Sequence, residues 1–553
     1  MSLPGPGRAT WIPRNGIEAA PMKHAPLVLR LLADLVLLAA LVGIGWWLGT
    51  TVAGRVNYPF DLEWMEGGML LHALRVRDGL PLYVAPTPEF IPYIYTPGYA
   101  WLVGALGWVF ELGYPLARWT SIVGTAGAAM LLVLGVRQEG YRWSLGFAAA
   151  ALFLTCYDEV GAFFDVVRTD GLQVFLMGAA VLVCRRATKP ALAIGGLVLV
   201  LAFITKHNMA MLGLPIAIAL WRVHGWRRAA WFGAWSAGPA LAWTAWMQIY
   251  SGGYFLTYIL AIPATHPIVG TRLFPQAERE LLEAFPWPIA AACLPIVVAL
   301  GAMLWRRAKK LPAPEHPPRT PAQRYARWYW IGVVAMGTFM VVLMRGHHGG
   351  FQNVLMPGFW LVALVTGFGL GALVGRIPRP LPASMVLLGC AVLVAWQTWD
   401  GRWERSKYIP TDADLEAGQR VLDHIASFDG PVLMPHSPWY PVMVGKPPSF
   451  ALIALWDITH KHSPIKKEAR VINRAIREQE FDAIIIASKK LKYGLDQAYG
   501  RTTTIKYTGR ALYPKTGWRV RPRYIYEPLE DLGPEVQEDD EAQGPADDQA
   551  TDV

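Results

Sequence analysis

Apolar blocks recur along this chain from residue 26 to residue 396, separated by short clusters of Arg and Lys. No other feature constrains the fold as strongly. In hydrocarbon every backbone N–H and C=O must be paired within the chain, so such blocks fold as membrane-crossing helices. They fall at residues 26–50, 100–110, 119–136, 145–156, 172–184, 191–204, 209–221, 231–249, 287–305, 328–344, 354–373 and 382–396. The composition agrees: 54% of residues are apolar and 17% charged. An ordinary soluble enzyme of this length is more polar. The expected fold is a polytopic α-helical membrane protein with about eleven transmembrane helices (roughly ten to thirteen), followed by a C-terminal soluble α/β domain.

The formal net charge of +10 is not a nucleic-acid signal. Its basic residues cluster at 137–142, 185–189, 222–228, 306–327 and 376–379, between apolar blocks. Basic loops stay cytoplasmic. The polar stretches 57–98, 158–170, 206–208, 250–285 and 345–353 then share the opposite, outer face, as does everything after Asp400. That parity needs either block 100–110 to be interfacial or re-entrant or cluster 137–142 to lie outside, and the first choice lets every later cluster fall into place. The domain reading is a cytoplasmic segment 1–26, a transmembrane domain 27–400 with an outer loop 51–98, a soluble domain 401–526 and an acidic tail 527–553. In the soluble part, residues 412–427 and 466–479 read as helices, and 431–434 and 481–487 as strands. Cys156, Cys184, Cys293 and Cys390 lie in apolar blocks and read as small buried residues, with no disulfide or metal spacing.

The outer stretches carry the chemistry. The first holds Asp61, Glu63 and Glu66, and a carboxylate buried beside Tyr58 and Trp64 suits a general base. Acids at a helix start also stabilise the dipole, which accounts equally well for Glu66. In FFDVVRTDG, Arg168 can grip a phosphate and Asp170 can orient it, or the two can form a structural pair. In TKHN, Lys206 is a phosphate-ligand candidate or a snorkelling lysine, and His207 a neutral donor. In RGHHGGFQNVLMP, Arg345 and the glycine-rich backbone before a helix suit an anion, with His347, His348 and Asn353 beside them. Adjacent His347 and His348 cannot chelate one metal without ligands from elsewhere, so neither a metal nor any other cofactor is assigned. Tyr83, Tyr93 and Tyr95 can pack against sugar or lipid, and His266 in the long outer loop is a weaker candidate. His436 and His460 read as surface residues.

The order of these pieces resembles the GT-C fold glycosyltransferases, in particular the group of family 39 protein mannosyltransferases and lipid A aminoarabinose transferases. An acidic motif, DLEWMEGG, follows the first helix. GLPLY (79–83), YIYTP (93–97), RTDG (168–171), TKHN and GGFQNVLMP come after it in order. The resemblance covers residues 27–400. It implies inverting transfer of a sugar from a polyprenyl-phosphate donor, with an acid of the first outer loop as base. On that pattern Asp61 takes the catalytic position, and Arg168, Lys206 and Arg345 are phosphate contacts. The D-x-E spacing departs from the adjacent acidic pair of the mannosyltransferases and leaves Glu63 as a rival base.

The implied partners are the lipid-linked donor, membrane lipid and a glycan, lipid or protein acceptor. The implied location is a bacterial inner membrane with the soluble domain on the periplasmic side. A transporter or flippase of an anionic lipid-linked substrate would also place charges in the membrane. A non-catalytic envelope scaffold would not depend on the acids at all.

Overall fold

The computed structural model describes residues 24–311, 318–487 and 495–530. Most of the expected N-terminal segment and acidic tail lies outside them. Among the described residues, six helices are long and apolar enough to cross a membrane. They are α1 (Ala25–Ala53), α4 (Tyr114–Gln138), α13 (Pro286–Ala308), α14 (Pro321–Gly346), α15 (Met356–Gly375, with a preceding turn from Gln352) and α16 (Pro380–Asp400). At about 1.5 Å per residue, even α16 matches the ~30 Å hydrocarbon thickness. Proline opens α4, α13, α14, α15 and α16, where its missing N–H leaves nothing unpaired.

Between these run α2 (Glu66–Arg77), α3 (Gly98–Leu106), α5 (Trp143–Thr155), α6 (Asp170–Cys184) and α7 (Lys189–Thr205). Then come α8 (Gly213–His224), α9 (Trp226–Trp235), α10 (Ala237–Tyr250), the single turn α11 (Tyr254–Leu256) and α12 (Ala277–Glu283). The expected count of about eleven draws on these shorter apolar helices as well as the long ones. Helix α3 has nine residues and reaches about 14 Å, under half the hydrocarbon thickness.

Exposed Leu35, Val42 and Trp46 on α1, and Ile296, Val297 and Leu304 on α13, form apolar faces that water would not tolerate. Cys293 lies on that exposed face of α13, whereas Cys156, Cys184 and Cys390 are buried. A cysteine in an apolar block is buried only if its helix face meets protein rather than lipid, so the expectation fails for Cys293.

Helices α4 and α6 meet through glycines. A Cβ added at Gly124 would stand 2.6 Å from the backbone nitrogen of Leu172, and one at Gly171 2.5 Å from the Ser121 carbonyl oxygen. Small residues let the helix backbones touch. Ser121 of α4 also donates to the Arg168 carbonyl at 3.0 Å, so the contact seats the turn that leads into α6.

The C-terminal part holds α17 (Asp412–Ala426), α18 (Tyr440–Met443), α19 (Leu452–Thr459), α20 (Arg470–Arg477) and α21 (Leu495–Ala498). Thr411 and Asp414 form a capping box that starts α17. Strands β1 (Val432–Leu433), β2 (Ala483–Ile486), β3 (Tyr499–Thr504) and β4 (Tyr524–Pro528) form a sheet in the order β1-β2-β4-β3. β1 pairs parallel to β2, and the other pairs are antiparallel. Every β2 residue is buried. Ala483 and Ile485 share a core with Val421 and Ile425 of α17, while Ile484 and Ile486 join Ile472 and Ile476 of α20. That two-sided burial explains the unbroken apolar run.

Gly171→Ala is expected to overpack the α4–α6 contact by about 1–3 kcal/mol. Thermal unfolding in detergent reads this as a midpoint lowered by several degrees, and an unchanged midpoint would mean that the two backbones do not touch there.

Candidate active site

The outer loop is built on a buried ion pair. Glu66 opens α2, and its carboxylate receives Arg118 at 2.7 Å and 3.1 Å, the Leu62 N–H at 2.6 Å and the Val167 N–H at 2.7 Å. Arg118 also donates to the carbonyls of Tyr58 at 2.5 Å and Phe60 at 2.7 Å. Neither side chain is exposed. A buried pair is tolerable only when the remaining donors and acceptors are also satisfied, as here. The chain entering and leaving Asp61 is thereby fixed at both ends. Arg55, paired with Asp165 at 3.0 Å, ties the end of α1 to the α5–α6 loop beside it.

Asp61 is buried and asymmetric. Its Oδ1 accepts the Gly67 N–H at 3.0 Å and the Tyr114 hydroxyl at 2.9 Å. Its Oδ2 is buried and has no partner among the described residues. Burial, then the Glu66 charge, pushes the Asp61 carboxyl well above the usual range. Glu63 differs. Its Oε2 accepts the Met65 N–H at 3.2 Å and Arg168 at 3.3 Å, and burial raises its pKa to about 7 against the pull of that arginine.

Arg168 also donates to the Tyr95 hydroxyl at 3.0 Å, and the Tyr83 hydroxyl donates to the Tyr95 carbonyl at 2.7 Å. Tyr93 lies behind them, its N–H held by His72 at 2.8 Å. Two residues after Arg168, Asp170 receives Lys206 at 2.8 Å and Asn353 at 3.0 Å. His207 follows, with a buried Nδ1 lacking a partner among the described residues. The His266 and His347 rings lie 5.1 Å apart at a tilt of 46°, and His266 approaches Asp457 at 3.6 Å. His348 lies exposed beside them.

Arg345 is placed elsewhere. It forms a two-pronged bridge to Glu280 at 2.8 Å and 2.9 Å and donates to the Gly350 carbonyl at 2.7 Å. The structure therefore brings together Asp61, Glu63, Glu66, Arg168, Tyr83, Tyr93 and Tyr95, with Asp170, Lys206 and Asn353 adjoining. It puts the histidines farther along and holds Arg345 on the Glu280 side. No group of His, Cys, Asp or Glu among the described residues is arranged to hold a metal ion.

Residues that the sequence did not single out complete the site. Arg118 and Tyr114 lie at the edge of an apolar block, and an arginine at that depth signals a buried partner. From the C-terminal part, the Tyr440 hydroxyl accepts the Asp61 N–H at 3.4 Å. The Leu62 carbonyl accepts the N–H groups of Lys515 at 2.8 Å and Thr516 at 3.1 Å, and Glu63 forms a parallel bridge with Thr516. Gly517 has φ +72°, and a Cβ there would stand 2.8 Å from Glu63 Oε1. His436 is 2% exposed, contrary to the surface position expected for it: it sits on the inner side of the sheet, where its Nδ1 accepts the Ala487 N–H at 3.4 Å.

No family model matches the chain, and no curated protein matches it in sequence. The fold does have solved counterparts. ArnT from Cupriavidus metallidurans in the apo state superposes with a TM-score of 0.55 at 11% identity, covering 89% of this chain and 100% of that one. The same protein bound to undecaprenyl phosphate gives 0.54 at 11% identity, with 89% and 99% covered. The chain thus shares its fold with ArnT, the GT-C fold that the order of motifs implied.

Arg118→Ala leaves the Glu66 charge buried without its partner, and a loss of about 3–5 kcal/mol is expected. Chemical denaturation in detergent should show it. A loss under about 1 kcal/mol would mean that the pair does not support the loop.

Proposed function

We propose that this protein is a membrane glycosyltransferase that moves a sugar from a polyprenyl-phosphate donor to an acceptor at the outer face of a bacterial inner membrane. The observation that supports it best is the state of Asp61. One carboxylate oxygen is fixed by two donors, and the other is buried and without a partner among the described residues. Such an oxygen is ready to receive a proton. Glu63, by contrast, is occupied by Arg168, which favours Asp61 as the base in this reading.

In this reading the acceptor hydroxyl gives its proton to Asp61 Oδ2, and its oxygen attacks the anomeric carbon. The bond from that carbon to the phosphate oxygen breaks, and the polyprenyl phosphate leaves. One displacement inverts the centre. Arg168 and Lys206 lie where they can offset the leaving charge, once they exchange Glu63 and Asp170 for the phosphate. Their carboxylate partners hold both cations in place until then. Residues 27–400 carry the reaction, and residues 401–526 close it from the periplasmic side.

Asp61→Asn is expected to cut transfer from a radiolabelled polyprenyl-phosphate sugar into membrane acceptors by about 10²-fold or more without lowering the unfolding midpoint. Retained transfer would sink the proposal.

The pH profile gives a separate check. A base works ionised, so transfer must fall as pH falls through its folded pKa. Because burial raises the Asp61 pKa, the acid limb of kcat/KM is expected well above the ordinary aspartate value of about 4. A limb centred near 4 would assign the proton transfer to an exposed group.

A further inference from the structure

Three indoles from three distant parts of the chain meet at the rim of the site. Trp64 lies in the outer loop, Trp456 in α19 and Trp518 in the segment that pairs with Leu62 and Glu63. Their ring centroids are 5.2 Å apart for Trp64 and Trp518, 5.3 Å for Trp456 and Trp518, and 6.4 Å for Trp64 and Trp456. Trp518 is 36% exposed, and the other two are half-buried. Trp64 follows Glu63 directly in the chain, and a Cβ at Gly517 would stand 3.0 Å from the Trp64 ring. The trio is therefore on the doorstep of the carboxylates.

Beside Trp518, at 6.1 Å ring to ring, stands His436. Because His436 Nδ1 accepts an N–H, the neutral ring carries its proton on Nε2. That Nε2 is buried and has no partner among the described residues. A buried donor left without an acceptor costs about 1–3 kcal/mol. Its presence next to half-exposed aromatic rings points to a ligand bearing acceptor oxygens.

We infer that Trp64, Trp456 and Trp518, backed by His436, form a platform for a sugar ring of the acceptor. Indole faces pack against the C–H face of a pyranose, and a sugar hydroxyl supplies the acceptor that His436 lacks. A membrane-anchoring role fits less well. Interfacial tryptophans sit on spanning helices, as Trp46 and Trp399 do here, exposed on α1 and α16. Two of the trio instead belong to the C-terminal part. Acceptors carrying a sugar at the attacked end are thus selected over bare lipid or peptide.

The inference rests on the transferase reading for calling this sugar the acceptor, but binding is measured apart from transfer. Intrinsic fluorescence of the full chain in detergent is titrated with methyl glycosides of glucose, galactose, mannose and N-acetylglucosamine. A saturable change is expected with at least one of them. It should persist in Asp61→Asn and weaken about tenfold or more in Trp518→Ala and in His436→Phe, each with an unchanged unfolding midpoint. If Trp518→Ala lowers the midpoint, Trp518→Phe, which keeps a ring, is expected to bind saturably but more weakly than wild type. No saturable change with any glycoside, or equal binding in Trp518→Ala, overturns the platform. So does a change driven only by phosphatidylglycerol vesicles, which would assign the trio to the bilayer. Loss of transfer in Asp61→Asn tests the transferase reading alone.

Discussion

The site depends on the bond between Glu66 and Arg118. Two opposite charges taken from water cost several kcal/mol each unless every remaining lone pair and N–H finds a partner. Here the carboxylate collects backbone N–H groups from both the outer loop and the α5–α6 loop, while the guanidinium collects the carbonyls that precede Asp61. The pair therefore works as a hub that fixes two loops against one helix. Glu66 carries the architecture, and the neighbouring acid is left with an oxygen to spare. Two carboxylates five residues apart thus serve different ends because their partners differ, not because their side chains do.

The second organising fact is that the membrane part does not finish its own site. Tyr440, Thr516 and Gly517 reach the outer loop from beyond α16 and touch the backbone or side chains of residues 61–63. A loop that is pinned from beneath by Arg118 and from above by this segment has little freedom. Such rigidity is what a base needs, since small displacements from a productive geometry cost rate.

Much of this was legible in the chain before any coordinates. Helix periodicity and the apolar blocks gave the membrane architecture, and the run around Ile484–Ile486 marked a strand buried on both faces. The polar stretches between blocks contained the acids and bases that converge. What escaped was partnership. Nothing in RGHHGG says that Arg345 will clasp Glu280, and nothing in the first loop says which acid Arg118 will take. Arg118 itself hides at the margin of an apolar block. His436 reads as a surface residue in the sequence, yet the fold buries it. Partner choice is set by contacts between residues remote in sequence, and local patterns do not encode it.

The segment around Thr516 has a consequence for biosynthesis. Ribosomes deliver the chain from its N-terminal side, so α1 and the outer loop enter the bilayer long before residues 515–517 are made. Until that late segment is made and pairs with Leu62 and Glu63, the acid-bearing loop lacks one of its walls. Under the proposed function, competence then waits on the last part of the chain, and a chain ending before residue 515 would carry the acids on a loop without that wall.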